Sequence, residues 1–474
     1  MKRPILLIDP PTYPKGTLSL SLFVLAGLLK DDFTVSYFDL NFSADKKRLE
    51  KCNIENICFI GLKVSAQNEK LCREISLKLR INFPDTPIVW GGELATLQPE
   101  YCEKYADTVV SGMFESIRDA FVNDLKNSQL QKRYIGKNDP DFGIGSPDFT
   151  ILPNFSRYNQ FMGMPLETSR GCTEHCTFCM VLSTQSKHYF TKPIDQLQNE
   201  LKSYSNRFIN IIDYNFGVSQ EHVLAVSKLI QQSTALGWMA EMNLELLDNE
   251  EVLLALKSSR CRMIYCGLES IHEHALKEVN KQRTNQVAHY ENIIRKVQAH
   301  GIHVVAGIIL GLGSAKRADY LETVMAFKKW GIGYIKLTFL TYNPGSRIHA
   351  YHAKKDRIIS EELAHYDGQH LTYLEGNSEE EVRAIAKDVI SDVQSFRHQL
   401  KRISNSKAGW VNKLEMALFS FGYSRVYIQW SKNNIVYDPN SLDVLLGQPY
   451  KKPIRYLCLE RLIFVLRKLR QLIR

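Results

Sequence analysis

Cys172, Cys176 and Cys179 form a C-x3-C-x2-C cluster in the stretch TSRGCTEHCTFCMV. Thiolates are preferred ligands for iron–sulfur clusters, and zinc takes them too. Three thiolates on a [4Fe–4S] cluster leave one iron without a protein ligand, open to a cofactor or substrate. A zinc site would need a fourth close Cys or His, and His175, inside the loop, is the local candidate. The spacing favours iron–sulfur, with zinc as the alternative. The remaining cysteines of the ten in the chain are scattered. Cys58 and Cys266 lie in apolar, strand-like runs and read as buried thiols. Such usage suits reduced thiols in the cytoplasm rather than a disulfide framework.

A chain of 474 residues suggests about three domains. The loop opens a stretch of alternating strand and helix signals that starts at PLETSRG (165–171). Its strand candidates continue with 208–215, 237–244, 262–270, 302–313 and 333–343. Six strand–helix units fit a partial (β/α)6 barrel better than a full eight-fold one, with the cysteines at the strand-end face where barrel loops build active sites. A similar alternation precedes it. Short apolar runs at 5–9, 33–40, 57–64, 87–92 and 108–112, with helical patterns at 18–30 and 68–83, predict an open, Rossmann-like (flavodoxin-like) parallel sheet. Ligands bind beyond the carboxyl ends of such strands, which places Asp9, Pro10, Ser65, Gly91, Gly92, Ser111 and Gly112 at a binding edge. The expected organisation is α/β: 1–135 the Rossmann-like domain, 136–160 a Gly/Pro/Asp-rich linker, 161–350 the barrel, and 351–474 a mainly helical region.

The barrel resembles the radical S-adenosylmethionine (SAM) superfamily, whose C-x3-C-x2-C loop follows the first strand as here. Phe178 matches the aromatic position before the third cysteine. Asp213-Tyr214-Asn215-Phe216 is similar to the D-D-N-F signature of one branch, and Asn243 lies in a segment like its T-Q-x-N. Gly267-Leu268-Glu269-Ser270 is similar to its G-I-E-S, Asn280-Lys281 to its N-K, Gly307 through Gly313 to its glycine-rich fifth strand, and Asn343-Pro344-Gly345-Ser346 to its P-G-T. The resemblance implies that the three cysteines hold a [4Fe–4S] cluster. SAM would chelate the open iron, and its reductive cleavage would give a 5′-deoxyadenosyl radical. It further implies SAM-binding roles for Phe178, Asp213, Asn215, Asn243, Glu269, Ser270 and Gly311. For Glu269 there is a physical reason as well: a carboxylate leaving an apolar strand needs a partner.

The N-terminal half resembles the cobalamin-binding domain of class B radical SAM enzymes in LLIDPP, GLKVSAQN, IVWGGELATLQPE and DTVVSGMFES. The branch includes hopanoid and bacteriochlorophyll methylases, so the resemblance implies methylation of an unactivated carbon by way of methylcobalamin. Its seven cobalamin-facing positions would be Asp9, Pro10, Ser65, Gly91, Gly92, Ser111 and Gly112. No D-x-H-x-x-G occurs, so no histidine is marked as a lower cobalt ligand. The alternative is a cobalamin-free N-terminal domain over a barrel that cyclises, dehydrogenates, epimerises or couples carbons. The implied partners are a small-molecule, lipid or peptide substrate and a flavodoxin- or ferredoxin-type electron donor.

Formal net charge is +9, but Lys451–Arg474 holds eight Lys or Arg against one acid, so the body is nearly neutral and a nucleic-acid partner is not expected. The stretch 457–474 has the pattern of a basic amphipathic helix, which either packs on its own barrel or lies on an anionic membrane surface. MKRPILLIDPP lacks a signal-peptide pattern, and no run of apolar residues is long enough to span a bilayer. A cytoplasmic protein, peripheral at the membrane at most, is the expectation.

Overall fold

The apolar runs of the N-terminal half become a six-stranded parallel sheet in a computed structural model that describes residues 2–12, 17–158, 163–184, 188–420 and Leu462, with Leu182 and Ser183 as backbone only. Its strands are β1 (Arg3–Asp9), β2 (Phe33–Asp39), β3 (Ile60–Lys63), β4 (Ile88–Gly91), β5 (Thr108–Ser111) and β6 (Arg133–Ile135), in the order β2-β1-β3-β4-β5-β6. Strand order reverses between β1 and β3, which leaves a crevice at their carboxyl ends. Alternation along β1 shows why both faces are covered: Ile5 and Leu7 join one apolar cluster, Leu6 and Ile8 the other. Five of these strands were expected. The sixth, a three-residue edge strand, was not.

The second half continues with β7 (Met164–Leu166), the short pair β8 (Ser169–Arg170) and β9 (Phe190–Thr191), then β10 (Phe208–Ile211), β11 (Gly237–Glu241), β12 (Cys261–Glu269), β13 (His303–Leu310) and β14 (Tyr334–Phe339). A parallel sheet forms in the order β14-β13-β12-β11-β10-β7, six strands in sequential order, as the partial (β/α)6 barrel requires. Every residue of β13 is buried, the mark of a strand covered on both faces. The first barrel strand ends earlier than LETSR suggests. Asp213 accepts hydrogen bonds from the Thr168 amide and hydroxyl and from the Ser169 hydroxyl, bending the chain out of the sheet. β8 then pairs antiparallel with β9.

Segment 136–160, read as a linker, is tightly packed where it is described. Asp148 donates its backbone N–H to Phe23 O, Tyr158 donates its hydroxyl to Asp39, and Ser146 donates to Glu200. One apolar cluster includes residues of both sheets, from Ile5 and Val89 to Met164 and Trp238. Beyond the barrel, helices Glu379–Gln394 and Phe396–Asn405 and a helical stretch at 410–420 bear out the expected helical region. Ser378 and Glu381 form a reciprocal capping box at the first of these. Before them, 366–377 crosses the strand-end face: Gly368 O accepts from Phe339 N, and Leu371 lies beside Gly311. The basic tail at 451–474 lies outside the described residues apart from Leu462, which is helical and exposed. Among the described residues no helix is long and apolar enough to cross a membrane.

Candidate active site

The cysteine loop leaves β8 through Gly171, whose φ of +84° and closeness to His188 O admit no side chain: a Cβ there would lie 2.1 Å from that oxygen. Three elements of the barrel then hold the loop. Asn280 donates to His175 O at 2.8 Å, and Thr177 N donates to Val279 O at 3.2 Å. Asn243 donates its side-chain amide to Glu174 at 3.2 Å, while its backbone N–H reaches Asn215 Oδ1, also at 3.2 Å. Asn215 thereby joins the second and third strand ends beneath Cys172, and its side chain hydrogen-bonds that thiol. Phe178 packs half-buried against the core.

Cys172 and Cys176 are buried and Cys179 is half-buried. Burial pushes all three thiols up, Cys176 to about 12 against the pull of the Lys281 ammonium, so bound metal must displace their protons. Among the described residues no three His, Cys, Asp or Glu groups converge as in a single-ion site. His175, the fourth ligand that zinc would need, points to solvent while its carbonyl is held by Asn280. Three neighbouring cysteines with His175 turned to solvent fit a cluster held by three protein ligands better than a four-ligand zinc site.

Beside the loop, charged groups meet in the hollow of the sheet. Glu269 stands at φ +62°, where β12 slips register against β13, a strain of about 1–3 kcal/mol that points to function. Lys281 donates to both Glu269 and Gly267 O. The side chains lie over bare glycines: a Cβ on Gly267 would come within 2.6 Å of Lys281 Nζ, and one on Gly307 within 2.5 Å of the Tyr265 hydroxyl. Solvent reaches Glu241, yet the enclosing protein pushes its carboxyl up to about 7, opposed by Lys336 and Lys281. Lys336 Nζ sits 5.4 Å from the centre of the Tyr265 ring. Both acidic and basic groups thus face one hollow, as a zwitterion such as SAM requires.

Other residues expected at SAM also support the site. Both oxygens of Asp213 accept from Thr168 and Ser169, and burial still raises its carboxyl to about 6. Ser270 Oγ accepts from His272 N, and Gly311, at φ +84°, turns the chain where Leu371 and Val382 pack on it. Sequence reasoning did not single out Arg170, Glu241, Tyr265 or Lys336. A charge at alternate positions of an apolar strand was the available signal for Glu241 and Lys336.

Above the loop lies a cavity of about 380 Å³. Its walls are the helix Leu20–Leu29, the ends of β3, β4 and β5, and from the barrel Glu167, Arg170, Met180, Ile212 and Tyr214. Gly91, Gly92 and Gly112 line it as expected. Gly92 (φ +112°) lets the chain pass so close that a Cβ would meet Val64 O at 2.8 Å. Asp9, Pro10, Ser65 and Ser111 are not among its lining residues. Asp9 is buried with its Oδ2 accepting from Tyr37 at 3.3 Å, Pro10 is buried beside it, Ser65 caps the turn at Ala66–Asn68, and Ser111 donates to Ala95 O. A mostly apolar cavity floored by glycines fits the tail of a large planar cofactor laid across the strand ends.

The Radical SAM superfamily profile matches residues 166–327, the stretch that holds the cysteine loop and the charged hollow. That stretch is a radical SAM domain. The chain that carries this radical SAM domain is 22% identical over 299 residues to bacteriochlorophyllide d C-8(2)-methyltransferase of Chlorobaculum tepidum, covering 60% of this chain and 66% of that protein, just under two thirds of its length. It is 24% identical over 395 residues to an uncharacterized methyltransferase of Pyrococcus horikoshii, covering 75% of this chain and 84% of that one. Its fold matches TsrM of Kitasatospora setae, a radical SAM methyltransferase solved with cobalamin and a [4Fe–4S] cluster, at a TM-score of 0.68 and 16% identity over 94% of this chain and 100% of that one. It also matches the cobalamin-dependent SAM radical enzyme OxsB, solved with aqua-cobalamin, at a TM-score of 0.67 and 15% identity over 99% of this chain and 80% of that one. At those identities the likeness is one of fold.

Proposed function

We propose that this enzyme methylates an unactivated carbon of a small-molecule substrate, with SAM, a [4Fe–4S] cluster and cobalamin as cofactors. The observation that carries this reading is the cavity, which opens the N-terminal strand ends directly onto the cysteine loop. A domain kept only as a lid has no need of an apolar hollow there.

Cys172, Cys176 and Cys179 would hold the cluster. Gly91, Gly92 and Gly112 would let cobalamin approach the backbone. When bound, the cluster supplies the electron that cleaves SAM to a 5′-deoxyadenosyl radical, and cobalamin carries the methyl group. This chain's residues then bind and orient. Asn280 and Asn243 fix the cysteine loop by its backbone and by Glu174. Glu269, fixed by Lys281, and the pair Glu241 and Lys336 offer complementary charges to the amino and carboxylate groups of SAM. Segment 366–377 covers the strand ends of β13 and β14 and keeps bulk water from that side.

The domain limits 1–135 and 161–350 follow the same reading, as do a cytoplasmic setting, a flavodoxin- or ferredoxin-type donor, and membrane contact through 451–474 where the substrate is a lipid. Vesicle co-sedimentation of the full chain against a chain lacking 451–474 tests the last point. The central test is anaerobic reconstitution with iron, sulfide and hydroxocobalamin. About four irons with stoichiometric cobalt are expected. Iron without cobalt would end the methyltransferase reading.

A further inference from the structure

The cavity touches both shoulders of the cysteine loop: Arg170, two residues before Cys172, and Met180, directly after Cys179. Arg170 is buried, and its guanidinium is shared between two carboxylates. Its Nε and Nη2 donate to the two oxygens of Glu167 at 2.8 and 3.0 Å, and Nη2 lies 2.9 Å from Glu115 Oε1. That oxygen of Glu115 also accepts from Gly145 N at 3.1 Å. Glu115 thus belongs to the N-terminal half and is anchored by the connecting segment, whereas Glu167 and Arg170 belong to the barrel. All three side chains line the cavity. The helix Glu93–Leu97, at the edge of the cavity, packs in turn on Val181–Thr184, at the other shoulder of the loop.

An occupant of the cavity therefore rests on the same side chains that fix the backbone entering the cysteine loop. A planar, forked guanidinium transmits orientation as a single charge cannot. We propose that Arg170 is a positioning residue that couples the two cofactor sites, so that cobalamin and the cluster each bind more tightly when the other is present. Filling the cavity immobilises Glu115 and Glu167, which orders Arg170 and the loop. An ordered loop in turn completes the cavity wall. Coupling of this kind is reciprocal. The inference rests on the cobalamin reading above and adds a dependence between sites that this reading does not require.

The test is titration of the full-length chain with hydroxocobalamin in two states, cluster reconstituted and iron stripped by a chelator, with retained cobalt read by equilibrium dialysis. In the unaltered protein affinity is expected to be at least about fivefold higher with the cluster present. Arg170→Met should bring that ratio to about one, and Arg170→Lys, which keeps the charge and loses the fork, should restore part of it. Glu115→Gln leaves the Arg170–Glu167 pair in place and should also lower the ratio; it serves if Arg170→Met fails to fold. A ratio near one in the unaltered chain, or an unchanged ratio in the variants, overturns the inference. Absence of bound cobalt in both states of the unaltered chain overturns the cobalamin reading itself, and the coupling with it.

Discussion

Asn280 donates its side-chain amide to the carbonyl oxygen of His175 at 2.8 Å, so a residue beyond the fourth barrel strand fixes the middle of the cysteine loop. Asn280 also stands at φ +56°. Glycine accepts that conformation freely, so Asn280→Gly removes the hydrogen bond and little else. Partners that orient metal ligands typically matter about 10–100-fold. Asn280→Gly should lower cluster retention or SAM cleavage within that range, read as iron per chain after desalting and as 5′-deoxyadenosine formed. Unchanged iron and turnover would show that the loop holds itself.

Lys281 and Glu269 form an ion pair with side chains 9% and 7% exposed. Removing one partner of a buried pair strands the other, at a cost of about 3–5 kcal/mol. Lys281→Met should destabilise the chain by that order in urea denaturation. Lys281→Met combined with Glu269→Leu should recover much of the loss. A single variant as stable as the parent would mean that water already reaches the pair.

Burial raises the Asp9 carboxyl to about 7, with Lys63 opposing and Asp39 reinforcing the rise. Folding therefore favours the protonated form. The contribution to stability is whole below the unfolded carboxylate value of about 3.9 and is lost as pH rises through about 7. Asp9→Asn, which cannot ionise, should raise the urea midpoint at pH 8, with the gain shrinking toward pH 4. A gain independent of pH would locate the effect outside this carboxyl.

A Cβ on Gly307 would lie 2.5 Å from the Tyr265 hydroxyl and 3.1 Å from Glu269 Oε2, the far ends of two side chains. Gly307→Ala should therefore fold, because the tyrosine can swing aside, but it moves into the hollow. SAM affinity, measured by calorimetry on the reconstituted protein, should fall by about tenfold, some 1.4 kcal/mol, with little change in thermal midpoint. Equal affinity would place SAM elsewhere.

Most strands were legible because β1, β12 and β13 are apolar runs bounded by turn residues, and the cysteine spacing announced its own chemistry. β6 escaped notice because Arg133, Tyr134 and Ile135 form too short a run to stand out from its polar surroundings. Arg170 was invisible for a different reason. Its partner Glu115 is distant in the chain, and no local pattern joins them. Asp213 shows a different limit. Its place in a signature suggested a cofactor contact, and no local pattern showed that the folded chain also uses both its oxygens to bend the strand before the cysteines. Motif position revealed that these residues matter, and only the packing reveals to what.

The barrel sheet runs in sequence from β7 to β14, with those two as its outer strands. A sheet closed on itself has a girth fixed by strand number and stagger, and a larger guest can enter only by tearing a ladder of hydrogen bonds. Here, among the described residues, the two outer strands do not pair with each other, so no closing ladder fixes the girth. The width of the hollow is set by what packs against its two open edges, and not by strand number and stagger alone.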